Sequence, residues 1–408
     1  MSRPGLVRAL VVALAALLGV ATSAYSQQSP IRIGASISQT GALAALGQNQ
    51  LRGYRLCVMH ANEKGGVLGR KIDLVVEDDE SSAATAVRIY ENLITQVKVN
   101  AILGPYSSSI WEAVAEVSEK HRMPMVGPGA ASTSIFKKGR KYIFMVYAPA
   151  EEYLEGFMDL AAKRGLKTVA VISQDTLFTN SVAQGAVELA KKRGLQVVLT
   201  EAYSKDLTDF RPLIAKVRAL NPDAVAASTY FEDAVAIGKT LKEIGASPKM
   251  FGVTSGGDLP KFYELLGKTG EYVYGASQWE SEFVVLRAGG LVPIARQYPG
   301  AKEFIEAHRK EYPRTDISYH TAAGYGGCEV LLEAIRRAAS LEAEKVRAAI
   351  LKLDMNTVYG AFKVDSDGFQ TGKKTVIFQW QDGKKLIVWP PALAPGQARF
   401  PTPPWNQR

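Results

Sequence analysis

The sequence predicts an α/β protein made of two doubly wound parallel-sheet lobes. Short β-branched runs alternate with longer stretches whose apolar residues recur at helical spacing. That alternation begins near residue 31 and restarts after Pro149. The chain has 408 residues, 47% hydrophobic and 22% charged, with 36 Gly, 19 Pro and 2 Cys, a globular composition long enough for two cores. Disorder, a collagen-like repeat and a disulfide-rich scaffold are excluded.

Residues 1–26 read as a cleaved export signal. Arg3 and Arg8 precede an apolar run over 9–21, and Ala24, Tyr25 and Ser26 offer small residues at a cut. The run is too short to span a bilayer. The two arginines are not adjacent, which argues against the twin-arginine route, and no Cys precedes Cys57 to take a lipid. A soluble exported chain is expected. Without Arg3 and Arg8 the 49 basic residues fall to 47 against 40 acidic ones, spread without Lys/Arg blocks, which argues against nucleic acid as a partner.

The first unit should hold strand 31–35, helix 47–62 ended by Gly65 and Gly66, strand 72–77, helix 83–96, strand 101–103, helix 110–120 and strand 125–126. The second repeats the rhythm: helix 151–164, strand 168–172, helix 182–193, strand 196–201, helix 210–220, strand 224–228, helix 232–244 and strand 249–253. Beyond Gly275 come helices 320–337 and 343–352 and strands 361–364 and 375–379, able to complete both units if the chain crosses between them repeatedly. The proline-bearing end, 389–408, reads as an extended wrap. An oxidising compartment permits a bridge between Cys57 and Cys328, but two free buried thiols are the expectation.

Ligands of open α/β sheets collect beyond the carboxyl ends of strands, where helix N-termini offer unpaired N–H groups. Two loops fit. Gly104-Pro105-Tyr106-Ser107-Ser108-Ser109 joins a strand to a helix, so its hydroxyls and amides suit a carboxylate, with N-capping by Ser as the plainer role. Gly127-Pro128-Gly129-Ala130-Ala131-Ser132 follows the next strand with small residues that bring bare backbone close to a guest. It lacks the last Gly and the acidic residue of a dinucleotide fingerprint, so no cofactor is expected. His60, His121, His308 and His320 show no paired metal spacing; a hydrolase elbow and a phosphate loop are absent, and no catalytic or metal site is expected. Glu77, Asp78, Asp79 and Glu80 read as a solvated turn rather than a cation site.

Thr40-Gly41 with Gly47 and Gly53, then Ala61-Asn62-Glu63-Lys64-Gly65-Gly66-Val67-Leu68-Gly69-Arg70-Lys71-Ile72 and Asp78-Asp79, closely resemble the opening of the leucine/isoleucine/valine-binding proteins, periplasmic receptors of ABC importers. The likeness continues through Gly104-Pro105-Tyr106-Ser107-Ser108, Pro128-Gly129-Ala130 and Asn356-Thr357-Val358-Tyr359-Gly360, with Asp365 and Gly368, and so spans nearly the whole mature chain. The resemblance implies a periplasmic binding protein type I fold, with lobe one from 27–147 plus 275–358, lobe two from 148–274 plus 359–390, a tail at 391–408, and crossings near Tyr147, Gly275 and Tyr359. It implies a monomeric receptor that closes over a small hydrophobic amino acid and delivers it to an inner-membrane ABC permease.

In that family a Ser hydroxyl holds the ligand carboxylate, a role that resembles Ser107, with Ser108 close behind and Tyr106 beside them. Gly129, Ala130 and Ala131 match the second loop, whose usual Thr is absent although Ser132 is adjacent. Phe178 and Tyr230 or Phe231 match the aromatic lid, and Leu46 stands where relatives place a polar aromatic. The carboxylate that pairs with the ligand ammonium is replaced by Thr254. Either Asp258, Asp175 or Glu232 substitutes for it, or the ligand is an aromatic carboxylate with no ammonium. The alternatives from other classes are an exported serine hydrolase using Ser107 to Ser109 and a ligand sensor without a transporter.

Overall fold

A computed structural model describes residues 29–281, 284–287, 290–293 and 298–408, and the expected export signal at 1–26 lies outside them. The first sheet is wholly parallel. It begins with β1 (Ile31–Ile37), buried along nearly its whole length as a strand covered on both faces must be. Helix α1 (Ala44–Glu63) leads to β2 (Ile72–Asp78) and α2 (Ala83–Thr95) to β3 (Ala101–Leu103). Helix α3 (Ser108–His121) then leads to β4 (Met125–Gly127) and the short β5 (Ile143–Met145), and the five strands lie in the order β2-β1-β3-β4-β5.

The second sheet takes α4 (Glu155–Lys163), β6 (Thr168–Gln174), α5 (Leu177–Lys192), β7 (Gln196–Tyr203), α6 (Arg211–Leu220), β8 (Ala224–Ser228), α7 (Phe231–Ile244) and β9 (Met250–Val253). After α8 (Pro260–Leu266) comes β10 (Tyr274–Ser277), parallel to β9. A two-stranded ribbon, β11 (Val284–Arg287) and β12 (Gly290–Pro293), precedes α9 (Ala301–Glu311), α10 (Tyr319–Ala338) and α11 (Ala343–Ile350). A hairpin of β13 (Asp354–Thr357) and β14 (Gly360–Lys363) is followed by β15 (Val376–Gln381) and β16 (Lys384–Trp389). These last two add antiparallel to β10 and complete a seven-stranded sheet, β16-β15-β10-β9-β8-β6-β7. Gly275 therefore sits inside β10, and the second crossing starts after Ser277.

Helices α1 and α10 pack side by side on the first sheet. A methyl group at Gly53 of α1 would sit 2.1 Å from the Thr321 carbonyl oxygen of α10, so the bare backbone sets how closely they approach. That approach overturns the expectation of free thiols. Cys57 and Cys328 lie 6.2 Å apart between Cα atoms and are joined in a disulfide across a sequence separation of 271. The Glu77–Glu80 turn is also not simply solvated. Asp79 is fully buried and accepts from the Ser36 and Ser38 hydroxyls (3.0 and 2.6 Å) and from Ser81 N–H (3.0 Å), while Asp78 accepts from Gln39, Thr40 and Glu80 amides. Among the described residues no helix is long and apolar enough to cross a membrane.

The C-terminal segment lies against the second lobe. Arg164 donates to the Ala398 carbonyl and covers the Phe400 ring at 4.7 Å, Thr402 N–H reaches the Lys249 carbonyl, and the Trp405 indole reaches that of Ala246.

Candidate functional site

The carboxyl ends of β3 and β4 face those of β6, β8 and β9 across the gap between the lobes. On the first lobe, the Trp111 indole donates to both the Pro105 and Pro128 carbonyls (2.8 and 3.0 Å), which locks the two small-residue loops together. Gly129 has φ +99°, and a Cβ there would meet the Pro105 carbonyl oxygen at 2.2 Å, so this loop position tolerates only glycine. Ser108 is part of the same lock. Its hydroxyl oxygen accepts from Ala131 N–H (3.1 Å) and Ser132 N–H (3.4 Å). Ser107 opens α3 from extended backbone without a side-chain capping bond, and its hydroxyl instead meets the Tyr230 hydroxyl at the positive end of the helix.

A small hollow lies where the lobes meet, lined by Tyr106, Ser107, Gly129 and Ala131 of lobe one and by Tyr147, Tyr153, Phe178, Tyr230 and Ser255 from the first crossing and lobe two. Its rings are interlocked: Phe178 stands edge-on to Tyr153 at 5.1 Å and tilted against Tyr230 at 5.8 Å. Burial pushes the Tyr106, Tyr147 and Tyr153 hydroxyls well above their ordinary pKa and that of Tyr230 up to about 12, so all four are neutral hydroxyls. Behind them His320 is fully buried, its pKa lowered to about 3 by loss of solvent. No lining residue carries a charged side chain. Ser107 and Tyr230 also line a wider cleft, whose second-lobe side holds Asp175, Lys205, Asp206, Glu232 and Asp233.

Six expected residues meet in the hollow: Tyr106, Ser107, Gly129, Ala131, Phe178 and Tyr230. The others stand outside its lining, each for a visible reason. Leu46, in the first turn of α1, turns into the core, and Phe231 packs on Gly256. Ser108 is spent on the neighbouring loop that contains Ala130, and Ser132 donates to the Leu177 carbonyl (3.2 Å) across the lobes. Thr254 donates to the Thr229 carbonyl (2.8 Å) and accepts from its N–H (2.9 Å), tying β8 to β9. Ser255, the next residue and the first of the turn that follows β9, is the one that lines the hollow. Tyr147, Tyr153 and Ser255 went unexpected, although their nearness to the first crossing and to the end of β9 was a usable signal. Asp258 is buried one turn beyond Ser255, its pKa raised by burial against the pull of Lys385, and it is not in the lining. Among the described residues no cluster of three or more His, Cys, Asp or Glu is placed to hold a metal.

A family profile described as Periplasmic binding protein matches residues 30–385. Leu/Ile/Val-binding protein homolog 7 of Brucella melitensis is 29% identical over 96% of this chain and 98% of its own length. Homolog 8 of Brucella abortus is 27% identical over 95% and 98%. Among solved structures, leucine-binding protein LivK of Thermotoga maritima superposes with a TM-score of 0.77 at 24% identity, covering 90% of this chain and 99% of that one. LivJ of Streptococcus pneumoniae in complex with isoleucine gives 0.77 at 23%, covering 88% and 100%. A Rhodopseudomonas palustris solute-binding protein in complex with benzoate gives 0.74 at 18%, covering 90% and 97%. Two parallel-sheet lobes with a hollow between them, and a family match over nearly all the described chain, place this protein among the periplasmic binding proteins.

Proposed function

We propose that the chain is the solute receptor of an ABC importer, exported to the periplasm, where it captures a small hydrophobic solute by closure of two lobes and presents the closed form to an inner-membrane permease. It works as a monomer and breaks no bond. The observation that carries this reading is the hollow itself, to which both lobes contribute hydroxyls and rings at the carboxyl ends of their strands. A solute held by both lobes binds the closed form better than the open one and so shifts the population toward it. A branched-chain or other hydrophobic amino acid is the first solute class. A second class, aromatic carboxylates without an ammonium, is favoured by one observation: Ser255, rather than an acid, fills the end of β9 in a lining free of carboxylates.

The test is a thermal-shift and calorimetric panel on the mature chain with leucine, isoleucine, valine, phenylalanine, benzoate and 4-hydroxybenzoate. A true solute adds about 2.7 kcal/mol to stability at a hundredfold excess over its Kd. Silence toward every member, or release of product from simple esters, would overturn the receptor reading.

A further inference from the structure

Gln278 lies where the chain leaves the second sheet, 2% exposed, and its side chain reaches the other two crossings. Its Oε1 accepts from Ala148 N–H of the first crossing (2.6 Å) and from the Tyr359 hydroxyl of the third (2.7 Å), and its Nε2 donates to the Tyr153 hydroxyl. The direction of these bonds is fixed by chemistry. A backbone N–H can only donate, so the Gln278 atom facing Ala148 must be the carbonyl oxygen. With its oxygen there, the amide turns its NH2 group to Tyr153. The Tyr153 oxygen therefore accepts from Gln278, with the Tyr319 hydroxyl as its second hydrogen-bonding neighbour, and the Tyr153 proton points away from Gln278.

Tyr153 lines the hollow, fully buried and neutral, in a lining that offers further hydroxyls from Tyr106, Ser107, Tyr230 and Ser255. We propose that Gln278 is the positioning residue that sets the polarity of this hollow: by donating to Tyr153 it turns the Tyr153 proton toward the guest, selecting a solute whose buried end is a hydrogen-bond acceptor, a carboxylate, over one whose buried end donates. The same amide ties the three crossings, so the bond to the headgroup and the geometry of closure share one side chain. The inference rests on the receptor reading.

The decisive variant is Gln278→Glu, tested by calorimetry with two acids, L-leucine and benzoate, and their alcohols, L-leucinol and benzyl alcohol. When ionised, the introduced carboxylate still accepts from Ala148 and Tyr359 but now also accepts from Tyr153, pulling its proton out of the hollow. Affinity for whichever acid the wild type binds should fall tenfold or more at pH 8, while the matching alcohol keeps or gains affinity. On acidification, the same carboxyl group, once protonated, donates to Tyr153 again, and acid binding should return; Gln278→Met should show the loss without that return. Tyr153→Phe, which leaves the crossings' other bonds intact, should also cost the acid more than the alcohol. Equal losses of acid and alcohol in Gln278→Glu, or in Tyr153→Phe if the first variant does not fold, would overturn the inference and leave the receptor standing. A wild type that binds none of the four probes would overturn both.

Discussion

Ser107 and Ser108 are neighbours of one type with different work. Ser108 holds the second loop through two backbone amides, whereas Ser107 lines the hollow without capping its helix. Ser107→Ala should therefore weaken binding of an acidic solute by about 1–3 kcal/mol, the worth of one bond to a charged group, and leave the melting temperature of the free protein unchanged. Thr254→Val should do the reverse. It removes a hydroxyl that bonds the Thr229 backbone twice, so stability should fall by about 1–3 kcal/mol in denaturant titration while solute affinity holds. At this scale the sequence located loops better than side chains. Tyr106, Ser107 and Gly129 were legible because strand-to-helix loops of small and hydroxyl residues have a fixed place in parallel sheets. Ser255 was not, because it lies in the turn beyond β9, where no periodicity tells which of two adjacent hydroxyls, Thr254 or Ser255, faces the hollow.

Among elements, the alternating strands and helices of both units were legible from periodicity alone, because buried parallel strands and amphipathic helices carry strong patterns. Those off that rhythm were not. β5 and β10 each follow a short 3-10 turn (Thr133–Lys138 and Gly267–Gly270) that breaks the strand-helix alternation, and β16 depends on a tight Asp382-Gly383 turn beyond the last expected strand. The pairing of α1 with α10 was invisible for another reason, since contact between segments 271 residues apart leaves no local pattern. Cys57→Ser with Cys328→Ser, or reduction of the folded protein, should lower its stability by about 2–5 kcal/mol in guanidinium titration. Solute affinity should persist, because neither cysteine lines the hollow.

The whole molecule has an acid-sensitive middle. His320 is buried among Tyr106, Tyr147 and Tyr319, and burial holds its pKa at about 3. A histidine whose folded pKa is depressed takes up its proton in the unfolded chain first. Stability from this residue is thus complete above about pH 6.5 and is lost as pH falls toward 3, by ~1.4 kcal/mol per pH unit. His308, pushed down to about 4, acts in the same sense, while Glu329, raised to about 8, gains on acidification and opposes them. The clean measurement is therefore a difference: His320→Gln should lose less stability than the wild type between pH 6 and 4, by ~1.4 kcal/mol per unit. Parallel pH profiles for the two proteins would show that His320 does not titrate in unfolding.

The bridge between Cys57 and Cys328 also orders events in time. Ribosomes deliver the first helix early and its partner only after every strand from β6 to β10 has been made, so the growing polypeptide carries an unpaired thiol and an uncovered sheet face for most of its synthesis. Neither lobe closes early: the first waits for α10 and an oxidant, and the second waits longer still, for β15 and β16, so a nascent chain stopped before residue 319 should complete neither half.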